Sequence, residues 1–119
     1  MTAADLLSPD PLLHLLRRAT YGPTPAAVAE IRELGPAAWL EAQLNPAAIT
    51  DTVADGLVAR FPWCAATIPA VRAAVTAKSL KPYDWTPVWQ VGFATLARAV
   101  WSKRQLLEVM TEFWSNHFT

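Results

Sequence analysis

Imidazole is the scarcest chemical group in the sequence: two histidines, His14 and His117, lie near its opposite ends. Any site built on them must be assembled by the fold. His14 stands among Leu12, Leu13, Leu15 and Leu16, where a core or boundary histidine hydrogen-bonded to backbone is the expected role. His117 follows Glu108, Glu112 and Trp114. Glu-x-x-x-Glu sets two carboxylates one turn apart on one helical face, and carboxylates with an imidazole are the ligands that helical bundles offer to metals. Those bundles use Glu-x-x-His pairs from facing helices. Here Glu112 and His117 are five positions apart, which rotates them by well over a quarter turn, so a solvated acidic face is the stronger expectation and no metal is assigned. His117, Asn116 and Glu112 remain the candidate catalytic residues, with His117 also the candidate metal ligand, and no cofactor is implied.

Six tryptophans are a heavy load for 119 residues. Indoles stack on sugars, bases and cofactors, but Trp39, Trp89 and Trp114 fall on helical stripes that read as packing. Trp63 and Trp85 sit beside prolines in expected loops. Cys64 is the only cysteine; with no His or basic neighbour to lower its pKa, it reads as a buried structural thiol. The serines lack a Gly-x-Ser-x-Gly setting, and neither a Gly-rich phosphate loop nor a His pair of the metalloprotease kind occurs. Nothing in the sequence is a self-contained active site.

Ten basic residues balance ten acidic ones, so nucleic acid and anionic lipid find no net charge to attract them. The balance is uneven along the chain: residues 1–59 carry three basic and seven acidic residues, residues 60–119 seven and three. That asymmetry reads either as an anion-binding face in the second half or as scattered solvated helix surface. A hydrophobic share of 53% with 17% charged excludes disorder, and one cysteine excludes a disulfide scaffold. No stretch approaches the ~20 apolar residues that span a bilayer, and no basic n-region precedes the leucine cluster. The chain as written is expected to be cytoplasmic.

The elements that must position these groups are marked by ten prolines, which favour helix starts because the first-turn N–H has no helical partner to lose. Asp10-Pro11, Thr24-Pro25, Gly35-Pro36 and Thr86-Pro87 each read as a start. Val53, Leu57 and Phe61 recur every four residues, a core stripe, and residues 69–78 form an alanine-rich candidate helix. Residues 79–85 read as an internal loop. The longest helix aligns Trp89, Phe93, Leu96 and Val100, with small Gly92, Ala94, Ala97 and Ala99 among them, the spacing of a helix packed closely on another. Ser102 to Gln105 matches a capping box, and the helix it opens carries Leu106, Met110, Phe113 and His117 on one stripe, Leu107 and Trp114 beside it. With no strand pattern, the expected fold is all-α: an irregular array of five to seven helices, residues 1–119 forming a single segment of a larger helical domain. The pattern still running at Phe118-Thr119 motivates that last expectation.

Three segments carry a resemblance: Leu15-Leu16-Arg17-Arg18-Ala19-Thr20-Tyr21-Gly22-Pro23-Thr24-Pro25, then Leu34-Gly35 with Ala38-Trp39-Leu40-Glu41-Ala42-Gln43-Leu44-Asn45-Pro46, and Arg104-Gln105-Leu106 through Phe113-Trp114-Ser115-Asn116-His117-Phe118. Together they resemble the N-terminal part of the bacterial family known as domain of unknown function 1800. The resemblance implies a full domain of several hundred residues, often exported and often encoded beside a second uncharacterised family. It supplies no catalytic role for any residue. The expected partner is the remainder of the family domain or another protein, with Trp114 and Phe118 as interaction residues and the FWSNHF segment as one wall of a metal-assisted or hydrolytic site in the longer protein. A helical interaction module is the further reading.

Overall fold

Prolines occupy the first turn of five of the seven α-helices in the computed structural model, which describes residues 10–118. The helices are α1 (Pro11–Ala19), α2 (Pro25–Leu34), α3 (Pro36–Leu44), α4 (Thr52–Val58), α5 (Ile68–Thr76), α6 (Thr86–Trp101) and α7 (Gln105–Phe118), with 3-10 turns at Pro46–Ala48 and Pro62–Ala65. No strand occurs among the described residues. The fold is all-α, and none of the described helices is long and apolar enough to cross a membrane. The chain divides into two compact units, one formed by Met1–Thr50 with Lys103–Thr119, the other by Asp51–Ser102.

In the first unit local chemistry sets each helix end. The Asp10 carboxylate accepts from Leu12 N–H at 2.8 Å and Thr24 Oγ1 from Ala27 N–H at 3.1 Å, each satisfying an amide that the helix leaves orphaned. Gly35 ends α2 and starts α3 at φ 82° and ψ 152°, a positive-φ extended conformation essentially confined to glycine, which costs a side-chain-bearing residue about 1–3 kcal/mol. α1 then turns Leu13, Leu16 and Ala19 inward. Leu16, Ala19, Ile31 and Trp39 form the core, with Leu12, Leu15, Val28, Leu40 and Leu106 packed around it. Burial of Leu16 and of Ile31 is each worth about 1.5–3 kcal/mol.

One buried amide fastens α7 to this core. Gln43 Nε2 donates to the Lys103 carbonyl at 2.9 Å, while its Oε1 accepts from Leu106 N–H at 3.1 Å. Arg104 adds two bonds, from Nε and Nη2, to the Ile49 carbonyl at 3.2 and 3.1 Å. These contacts hold only the first turn of α7. From Met110 to Phe118 every residue of the helix is exposed.

The second unit packs differently. α6 lies against α4 and the 3-10 turn at Pro62–Ala65, and its buried residues are Ala94 and Ala97. α4 buries Ala54. Trp63 N–H donates to Gln90 Oε1 at 2.9 Å, and the ends of the unit meet where Ser102 Oγ donates to the buried Asp51 carboxylate at 2.7 Å. Residues 77–85 contain no helix; Leu80 is buried there between Lys78 (φ 58°) and Tyr83 (φ 61°).

Several expected core positions are corrected by this packing. Trp89, Phe93, Leu96 and Val100 are all exposed, because α6 turns its alanines inward, where small side chains let helices approach, and leaves its large residues facing out. Val53 is exposed and Leu57 and Phe61 are only half-buried, with Ala54 inside instead. His14 is exposed as well, since the inward turn of α1 is taken by Leu13 and Leu16. Cys64 is a half-buried thiol rather than a fully buried one. The last helix begins at Gln105, while Ser102 terminates α6, its N–H donating to the Arg98 carbonyl at 2.9 Å.

Candidate functional site

The residues singled out for chemistry gather on the exposed half of α7. Glu112, Asn116 and His117 are all exposed there, as are Trp114 and Phe118. Rings crowd the helix end at i, i+4 spacing: Phe113 and His117 stack with centroids 6.0 Å apart and planes 7° off parallel, and Trp114 stacks on Phe118 at 5.5 Å and 13°. Across the two stacks, Trp114 meets His117 edge to face at 5.8 Å. The imidazole of His117 is thus part of an aromatic cluster formed wholly by one helix.

Glu112 belongs to another face. Tyr21, immediately after α1, donates its hydroxyl to the Glu108 carbonyl at 3.4 Å, and its phenol is pushed up to about 12 from an ordinary value of 10.0. Partial burial contributes most, followed by the hydrogen bond to the Glu112 carboxylate and the negative charges of Glu112 and Glu108. Tyr21 is anchored at its other end, where its N–H donates to Gln105 Oε1 at 3.2 Å. The structure therefore joins Glu112 to Tyr21 and leaves His117 with Phe113 and Trp114. Sequence reading missed Tyr21 in this role. The 87-residue separation from Glu108 gives no local spacing to read, and only the leucine pattern of α1 hinted that this stretch packs near other helices.

Beside the ring stacks runs an open groove of about 560 Å³ lined by Leu107, Met110, Thr111, Trp114, Ser115 and Phe118. Thr111 turns its hydroxyl back onto the Leu107 carbonyl at 2.7 Å, so the face offers mainly apolar surface. No group of three or more His, Cys, Asp or Glu side chains placed to hold a metal ion occurs among the described residues. The chemistry this face supports is apolar contact with another surface, and a proton held on Tyr21 beside a carboxylate.

The family profile of the proteins of unknown function designated DUF1800 matches residues 14–119. No curated protein and no solved structure shows significant similarity. The match covers nearly the whole chain, which belongs to this family.

Proposed function

We propose that this DUF1800 chain serves as a helical docking segment whose α7 packs its aromatic face on further polypeptide, and that it holds no self-contained active site. The observation that carries this reading is the exposure of Leu107, Met110, Trp114 and Phe118 on one side of α7. Anchors at i, i+3, i+7 and i+11 are those by which an amphipathic helix fills an apolar groove. An exposed apolar face rimmed by polar residues is the usual mark of a protein contact. The occupant is therefore another helix with an aliphatic face, supplied by the rest of the family domain or by a partner chain.

Hydrophobic-dye binding and light scattering test it on the chain itself. Strong dye fluorescence and concentration-dependent association, both abolished in the double variant Trp114→Lys/Phe118→Lys with helicity retained, are the expected results. A dye-silent monomer at all concentrations would overturn the proposal. Mass measurement of the native product then assigns the occupant, a longer chain pointing to the family domain and a co-purifying subunit to a partner.

The exposure of Glu112, Asn116 and His117 on one stretch of α7 favours a second reading, in which they form one wall of a metal-assisted or hydrolytic site in a longer protein. Stoichiometric metal or hydrolytic turnover in that protein, lost in His117→Ala with the fold intact, supports it. Unchanged metal content and activity in the same variant dismisses it.

A further inference from the structure

A second concave surface lies within the Asp51–Ser102 unit and has a different chemistry. Arg60 and Phe61, just past the end of α4, and Thr86, Trp89, Gln90 and Phe93, on the first two turns of α6, line an open cleft of about 630 Å³. That volume falls within the range of small-molecule sites. Three aromatic rings form its floor: Phe93 lies 6.1 Å from Phe61 and 6.3 Å from Trp89, with planes tilted by 31° and 26°. Trp89 and Phe93 are 63% and 52% exposed, so ring surface is open to a ligand without any rearrangement.

The polar groups of the cleft are biased toward donation. Gln90 spends its Oε1 on Trp63 N–H at 2.9 Å, which fixes the amide and leaves Nε2–H as the group to offer. The Arg60 guanidinium has no hydrogen-bond or ion-pair partner among the described residues. Thr86 is engaged by Asp84: its hydroxyl bonds the Asp84 carboxylate and its N–H donates to the same group at 2.9 Å, together holding Asp84 below its usual range. The unit as a whole carries five basic residues (Arg60, Arg72, Lys78, Lys81, Arg98) against three acidic (Asp51, Asp55, Asp84), a net +2. Arg60 is the one cation among the described residues that line the cleft.

We infer that the cleft binds a planar aromatic carboxylate, its ring lying on Trp89 and Phe93 and its carboxylate taken by Arg60 and the Gln90 amide. Guanidinium and carboxylate match as charge-assisted partners, and ring-on-ring contact supplies the apolar part. A neutral ring would forfeit the first term and an aliphatic acid the second.

Naphthoate and its uncharged isostere naphthamide test this on the whole chain, read by NMR at the Trp89 indole N–H and the Gln90 side-chain amide. Naphthoate is expected to shift both signals saturably and to bind about tenfold tighter than naphthamide, as a charge-assisted bond implies. Arg60→Gln, at an exposed position, should remove that preference with the helical spectrum unchanged. Trp89→Ala should weaken both probes. Equal affinity of the two probes, an Arg60→Gln variant that keeps the preference, or shifts confined to the Trp114 indole would overturn the inference. So would an acidic aromatic peptide binding much more tightly than naphthoate, since the cleft would then be a peptide site.

Discussion

Trp39 and Trp89 share a residue type and a place on a helical stripe, yet the first is 2% exposed and the second 63%. The difference lies in what each helix meets rather than in the residues. Around Trp39, α1, α2 and α3 each contribute a large side chain, so Leu16, Ile31 and Trp39 close a core, and Trp39 Nε1 still reaches Glu30 at 3.4 Å. Around Trp89 the helices meet through Ala54, Ala94 and Ala97, and what secures the unit is partly polar: the Ser102–Asp51 bond and the Gln90 bond to Trp63 N–H. α1, α2 and α3 spend large apolar residues on cohesion, whereas α6, like the far half of α7, keeps them for the surface.

Substitution should expose this contrast most sharply at Trp39. Trp39→Ala is expected to cost about 3–5 kcal/mol, read as a lower denaturant midpoint and, in a chain of marginal stability, as loss of the first unit's helicity. Ser102→Ala removes a buried donor from the Asp51 carboxylate and should cost about 1–3 kcal/mol, with hydrogen exchange accelerated at α4 and α6. Thr24→Ala deletes the α2 cap for about 1 kcal/mol, and α2 amides should exchange faster while those of α6 do not.

A pH titration probes the first unit at one atom. Tyr21 binds its proton up to about 12 when folded, against 10.0 ordinarily. Between those values the unfolded chain therefore holds fewer protons, so the contribution of Tyr21 to stability is complete below pH 10 and fades as pH rises toward 12. Glu112→Gln should return the phenolate transition toward 10.0, as followed by absorbance. The smallest effect is expected at Trp89→Ala and Trp114→Ala, each within about 0.5 kcal/mol of the parent. A loss comparable to that of Trp39→Ala at either position would erase the contrast between core and surface tryptophans.

Helix existence was the most legible part of the molecule, because caps and first-turn prolines are local signals. Asp10-Pro11, Thr24-Pro25 and Thr86-Pro87 all stand at starts in the structure. The inward face was legible only where large residues have neighbours to meet, as at Ile31 and Trp39. On α6 the same periodicity admits two faces, one of Trp and Phe, one of Ala, and the choice depends on what lies opposite, which spacing cannot encode. Of the candidate site, the gathering of Glu112, Asn116 and His117 on one exposed helix was readable. Their division between the Tyr21 side and the ring stacks arises from a contact 87 positions long, and the donor bias at Gln90 depends on a bond to Trp63 that no motif announces.

The meeting of Asp51 with Ser102 turns the residues between them into a closed loop. Closing a loop costs entropy that grows only with the logarithm of its length, about 0.6 kcal/mol for each doubling. Insertions should therefore be tolerated at the exposed, helix-free residues 81–83, where they spare α4, α6 and the buried Leu80. Among related chains, that stretch is accordingly where length should drift, while the spacing from Asp10 to Asn45 should hold.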